Sequence, residues 1–384
     1  MPFVNKMRCL FAALIVAVSL AAPANADDTL PGSSKSAAQM ARAAHEFIGL
    51  LEAEQRKATV FSLGDAGRTT WSNLPIIMVR PGGTLLRDMT EPQRIAVHDM
   101  LRAALSTQGY AKMTGVMYLE DLLYEIEVEE LTNAPATKEN VSRRAFIETR
   151  KSGNYAVAIF GKPSDRRWGW KIAGHHAAMN FTVADGRVGF TPTFLGSSPM
   201  VMPVGPYAGW SALPHEGDRG VELMQALTPA QQESALINPA VADDVFEGPG
   251  RKSSLSKFEG ISTGEFSVGQ SALLRVLVAE YLRNADFDTA DAHLDVVARA
   301  GWDNLWFSWR GAVDPDGRFY YRVHGPRLLI EYNRQNANHD HMIVRDPKND
   351  YGEDWLEKHY EEHHPTMEEA MKNARERVES ALTP

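Results

Sequence analysis

The sequence predicts an α+β fold of two pseudo-repeated halves, each a helical pair followed by an antiparallel sheet. Three observations lead there. Helix-periodic segments come first, and period-two segments follow from Tyr155. Apolar residues every three to four positions mark a helix buried on one side, and alternation marks a half-buried strand. The same order recurs after residue 214. Shifting the chain by 177 then sets Leu50, Gln55 and Gln93 on Leu227, Gln232 and Gln270, and shifting it by 151 sets Trp170, Gly174 and Phe181 on Tyr321, Gly325 and Tyr332. Such self-similarity is how a duplicated unit shows itself. The difference between the shifts places an insertion in the first half, near Thr132 to Ser142.

The elements follow in order. Ala37 to Lys57 carries Met40, Ala44, Phe47 and Leu51 at helical spacing. Glu91 to Ser106 reads as a second helix, with Thr90 as its cap and Pro92 in its first turn, where a missing N–H costs nothing. Leu119 to Leu131 is a third. Tyr155, Val157 and Ile159 alternate as a strand, Trp168 to Ile172 follows, and Asn180 to Thr191 folds back at Asp185-Gly186, a dipeptide suited to a tight hairpin turn. In the second half, helices fit Asp218 to Ile237 and Gln270 to Asn284. Strands fit Leu305 to Trp309, Phe319 to Val323, Leu328 to Tyr332 and His341 to Val344, and Glu353 to Leu382 reads as a charged C-terminal helix.

Composition narrows the function. The chain has 384 residues, is 44% hydrophobic and carries a net charge of −9. An acidic chain without a basic tract offers phosphate backbones little, so nucleic acid is not an expected partner. Lys6 and Arg8, then apolar Leu10 to Ala22, then Ala24-Asn25-Ala26 form the basic, apolar, small-residue order of an export signal. The apolar run is too short to span a bilayer, and no stable membrane insertion is expected. Residues 1–26 are therefore read as a signal peptide, 27–214 as the N-terminal half and 215–384 as the C-terminal half. The expected location is periplasmic or secreted. The single cysteine, Cys9, would leave with the signal. Any metal must then be held by nitrogen and oxygen.

The 12 histidines are unevenly placed. His339 and His341 are two apart, and in a strand such residues share a face. His324 ends a preceding strand, and His175 or His176 can add a further ligand. Neighbouring strand residues face opposite ways, so only one of that pair is expected to enter. Neutral imidazoles suit Zn, Cu and Fe, and the expected cofactor is a divalent metal, Zn or Cu, with Fe as a further option. The His-x-His pair resembles the cupin pattern, but no glutamate follows it within a few residues. Glu331, in apolar Leu-Leu-Ile-Glu-Tyr, is the candidate catalytic acid or base. The bland alternative is an ion pair with Arg322 or Arg345. Arg345-Asp346 reads as an ion pair at the sheet end, and Asn180 matches Glu331 across the repeat. His359-Tyr-Glu-Glu362-His363 fits an inverted zinc-protease motif, but its charged surroundings favour a solvated face.

Several runs carry a resemblance. Trp168-Gly169-Trp170, Gly174-His175-His176, Asn180-Phe181-Thr182-Val183 and Thr191-Pro192-Thr193-Phe194-Leu195-Gly196 come in the first half. Tyr321-Arg322-Val323-His324-Gly325-Pro326, Ile330-Glu331-Tyr332, Asn338-His339-Asp340-His341 and Arg345-Asp346-Pro347 come in the second. In this order they resemble the exported bacterial and fungal family catalogued as domain of unknown function 3500. The resemblance covers essentially the whole chain after the signal. It implies export and a shared site around these histidines, but no mechanism.

The function expected from the sequence is an exported soluble metalloenzyme, leaning to hydrolysis of a small or polymeric extracellular substrate, with copper or iron oxidation as an equal fit to the ligands. The alternative is a non-catalytic protein that binds a metal or small ligand in a pocket of Trp168, Trp170, Trp306 and Trp309. In that reading the Ser197 to Pro214 loop closes over the pocket.

Overall fold

The computed structural model describes residues 34–353 and Trp355, apart from positions 133, 252, 253 and 315. The expected signal with Cys9, the His359–His363 motif and nearly all of the C-terminal helix lie outside the described residues.

Helix α1 (Ser34–Leu50) buries Met40, Ala44 and Phe47, as its spacing predicts. The expected continuation to Lys57 is a separate helix, α2 (Ala53–Thr59), because Glu52 and Gln55 form a capping box. A side chain that takes up free helix N–H groups starts a new helix instead of extending the old one. Short strands β1 (Val60–Phe61) and β2 (Thr84–Leu85) precede α3 (Glu91–Ala104). That helix starts on Thr90, in a capping box with Gln93, and has Pro92 in its first turn. Helix α4 (Thr107–Thr132) begins well before the expected Leu119. Gly109 and Gly115 hide its first turns from a periodicity reading, yet both are buried. A Cβ at Gly109 would come within 1.9 Å of the Asn284 carbonyl oxygen, so the two halves can touch there only through glycine. Helix α5 (Lys138–Ile147) begins inside the stretch read as an insertion and runs past it.

Strands β3 (Ala156–Gly161), β4 (Arg167–Gly174), β5 (Ala177–Ala184), β6 (Arg187–Gly189) and β7 (Thr193–Ser197) follow. The β5–β6 turn has positive φ at Asp185 and Gly186, as the dipeptide predicts. In the second half, α6 (Glu216–Ala226) and α7 (Pro229–Ala235) replace one expected helix, again divided by a capping box, Thr228 with Gln231. Then come β8 (Leu236–Asn238), β9 (Ile261–Ser262), α8 (Val268–Leu282), α9 (Phe287–Ala300), β10 (Trp306–Gly311), β11 (Phe319–Gly325), β12 (Leu328–Asn336) and β13 (His339–Arg345).

The sequence reading gives each half its own antiparallel sheet. The described strands instead form one mixed sheet, in the order β1-β3-β4-β5-β7-β13-β12-β11-β10-β8. The pairs β1–β3 and β8–β10 are parallel. Strands β7 and β13 join antiparallel at the middle, pairing Leu195 with Met342. A strand left at an edge keeps unpaired N–H and C=O groups, and pairing these two removes both edges. One face, with Trp170, Ile172, Leu195, Met342, Tyr321 and Phe307, packs on the helices as the main core. Of these, each fully buried Ile, Leu, Met or Phe side chain contributes roughly 1.5–3 kcal/mol. The opposite face carries a smaller apolar cluster around Phe194, Ile343 and Trp71, with Lys171, Glu331, Arg345 and His341 also buried. No helix among the described residues is long and apolar enough to cross a membrane.

Candidate metal centre

The site forms where β7 meets β13. His339 and His341 alternate on β13 and share a face, as extended backbone requires. Their Nε2 atoms are 3.0 Å apart. His341 lies edge-on to Phe194, with ring centroids 5.0 Å apart, and is paired directly with Gly196.

His175 and His176 make the two-residue turn between β4 and β5, closed by Gly174 and Ala177. Here the expectation of opposite facing fails. The pair is in a turn, and His176 has φ 61, so both rings point the same way and stack at 3.7 Å. The turn is pinned on three sides. The His176 N–H donates to the Asn73 carbonyl, the Gly196 N–H donates to the His176 carbonyl, and the Tyr155 hydroxyl donates to the His175 carbonyl.

Helix α4 brings Glu120, fully buried, beneath this turn. Its two oxygens meet His175 Nδ1 at 2.8 Å and His176 Nδ1 at 2.9 Å. His176 Nε2 then lies 2.9 Å from His339 Nε2. On the far side, Asp244 meets His341 Nδ1 at 2.8 Å, and the Gln335 amide is 3.0 Å from the same nitrogen. His176, His339 and His341 each offer one nitrogen, all within 4.8 Å of one another, and Glu120, His175 and His176 form an overlapping group.

The partners decide where the protons sit. An ionised carboxylate only accepts. Glu120 therefore draws the proton of His176 to Nδ1, and Asp244 does the same for His341, because a charged acceptor outweighs the neutral Gln335 NH2 that faces the same nitrogen. Both Nε2 atoms are left as lone pairs, and both face His339 Nε2. A ring nitrogen has one site, either an N–H or a lone pair, and cannot satisfy both neighbours. Extra protons do not resolve the clash. Burial and the neighbouring His341 push His339 down to about 3, and burial with the other histidines holds His176 well below the ordinary range. A cation shared by three lone pairs does resolve it. Burial raises the Glu120 carboxyl, and its His175 hydrogen bond opposes this. For Asp244 burial also pulls upward, but its hydrogen bonds to His341 and to the Val245 N–H help keep the group below its ordinary value.

Two of the sequence candidates do not join this cluster. His324 stands opposite Leu329, which in turn stands opposite Arg345, so it lies four residues along the sheet from the row of His341. At about 3.3 Å per residue that is on the order of 13 Å. Its ring lies edge-on to Phe258, and burial with the Arg322 charge lowers it to about 4. Glu331 stands opposite Arg322 and Ile343. Its carboxylate accepts the N–H groups of Phe246 and Glu247 and the hydroxyl of Tyr320, so it contacts no histidine of the cluster. Neither expected ion pair forms with it, since Arg322 pairs with Glu259 and Arg345 with Asp350 and Glu247. Arg345 and Asp346 also turn apart, because Asp346 takes Arg327. Asn180 donates to the Pro192 carbonyl. The tryptophan pocket does not form. Trp168, Trp170 and Trp309 are core residues, and Trp306 stacks on Phe258.

Sequence reasoning missed Glu120 and Asp244. Glu120 had a signal: with Met113 and Val116 it falls on the buried stripe of α4, an unusual place for a carboxylate. Asp244 lies in a loop and had none.

A family model described as "Protein of unknown function (DUF3500)" matches residues 33–353. No curated protein and no solved structure matches the chain.

Proposed function

The chain belongs to the family described as protein of unknown function (DUF3500), and from the site itself we propose that it binds one divalent transition metal through His176, His339 and His341. The observation that carries this reading is the convergence of three Nε2 atoms, two of them backed at Nδ1 by carboxylates. Metal-bound histidines are commonly oriented in this way by an acceptor on the other ring nitrogen. Three protein nitrogens suit Zn or Cu, with Fe as a further option. They leave a coordination position for water or substrate, which favours a hydrolytic enzyme over a closed structural site. His175, the more exposed of the pair, stacks beside His176 and can meet whatever occupies that position. A non-catalytic metal-binding protein is the second reading, favoured by the same ligands and by the engagement, among the described residues, of both carboxylates that touch the cluster, Glu120 and Asp244, with imidazole nitrogens.

The test is elemental analysis of untagged protein, followed by Zn and Cu titration of wild type and of His176→Ala, His339→Ala and His341→Ala. One equivalent in wild type and loss in each variant is expected. Retention in all three variants would sink the assignment.

We read the halves as copies of one unit. Supporting this, Gln93 bonds Gln55 and the Leu50 carbonyl, while Gln270 bonds Gln231 and the Ala226 carbonyl. Gly174 and Gly325 close equivalent hairpins, β4–β5 and β11–β12. The flanking strands run in mirrored order about the β7–β13 pair. We also read the chain as exported, on its basic, apolar and small-residue N-terminal pattern. Its substrate would then be a small or polymeric extracellular molecule.

A further inference from the structure

Glu331 is fully buried and bonded only to groups outside the histidine cluster, and what it holds is informative. Its Oε1 accepts the Glu247 N–H at 2.8 Å, and its Oε2 accepts the Phe246 N–H at 2.7 Å and the Tyr320 hydroxyl at 2.7 Å. Three residues before Glu247 stands Asp244, the partner of His341 Nδ1. The loop is fastened on both sides of Asp244. Before it, Asn333 donates to the Ala242 carbonyl at 2.9 Å. Beyond it, Arg345 donates to the Glu247 and Arg251 carbonyls at 2.8 and 2.7 Å. Asp244 itself is 39% exposed. Water therefore competes for its carboxylate, and it stays on His341 only as far as the loop is held there.

We propose that Glu331 is a positioning residue of the metal centre, which acts by anchoring the loop that sets Asp244 against His341. The inference rests on the metal reading above. Its chain of cause is short. Glu331 fixes the backbone at Phe246 and Glu247. That backbone aims Asp244, and Asp244 holds the His341 proton on Nδ1. Nε2 is then free to bind. Replacing the carboxylate by an amide breaks the first step, because an amide oxygen can accept one of the two N–H groups while its NH2 opposes the other.

The experiment is Co2+ titration of the full chain, reading both Kd and the visible absorption of the bound ion, for wild type, Glu331→Gln, Asp244→Asn and the double variant. Loss of an outer partner of this kind typically costs about 10–100-fold in metal affinity. Each single variant should weaken binding in that range and alter the spectrum in the same sense. The double variant should lose no more than Asp244→Asn alone, because two changes on one path are not additive. Wild-type affinity and spectrum in Glu331→Gln would overturn the proposal, and so would fully additive losses. If Glu331→Gln does not fold, Glu331→Asp keeps the charge but draws it back from the loop, and carries the same expectations. Wild type that binds no Co2+ would overturn the metal reading, a result distinct from binding that ignores Glu331.

Discussion

Gly196 is where a single methyl group should separate metal binding from folding. It sits on β7 directly opposite His341. A Cβ there would lie 2.6 Å from His341 Cδ2, 2.8 Å from the Asp340 carbonyl oxygen and 3.4 Å from His176 Cδ2. Ordinary contact begins at 3.4 Å, so the His341 ring must retreat by about 0.8 Å. Metal–ligand distances tolerate only about 0.2 Å, so the shift is roughly four times what a bound ion allows. The Asp340 oxygen is backbone and cannot withdraw without moving the β7–β13 ladder. Overpacking of this kind costs about 1–3 kcal/mol, which the fold should survive. Gly196→Ala should therefore unfold at lower temperature than wild type and gain nothing measurable from added Zn. Wild type at a hundredfold excess over its Kd should gain about 2.7 kcal/mol. Thermal and urea unfolding with and without Zn measure both effects. Gly49→Ala is the control: nothing lies within 4 Å of its Cβ, it sits in α1, and it should add up to about 1 kcal/mol with an unchanged Zn effect. A Gly196→Ala protein that gains as much from Zn as wild type would refute the reasoning.

Three further outcomes are expected. Glu120→Gln should weaken metal binding about 10–100-fold in a Zn titration, since an amide cannot accept from both His175 and His176. His324→Ala should leave metal stoichiometry unchanged, because the ring lies far along the sheet from the cluster; loss of the metal would place it back in the site. Lys171 donates to the Gly67 and Thr70 carbonyls, and burial lowers it from 10.5 to about 8. Between those values the unfolded chain binds a proton that the folded chain does not, so this group's contribution to stability rises with pH across that window. The urea-unfolding stability of wild type relative to Lys171→Met should rise from about pH 7.5 to 9.5, below the range in which the buried tyrosines begin to oppose it, and a pH-independent difference would refute this.

Local features were readable from the sequence because their causes are local. The Thr90, Pro92 and Gln93 start of α3 and the Asp185-Gly186 turn depend on a few adjacent residues. The shared facing of His339 and His341 follows from the period of extended backbone alone. The breaks before α2 and α7 are just as local, in capping boxes that apolar spacing passes over, whereas glycine-masked α4 and the continuous sheet needed contacts from elsewhere in the chain. So did the site. Glu120 lies 56 residues from His176 in sequence, His339 lies 163 from it, and Asp244 lies 97 from His341. Spacing admitted His324 on the same terms as the others, and strand register alone excluded it. The sequence determined which side chains could ligate and which face of a strand they share. The tertiary structure decided which of them meet, because convergence depends on strand neighbours, register and one left-handed turn at His176.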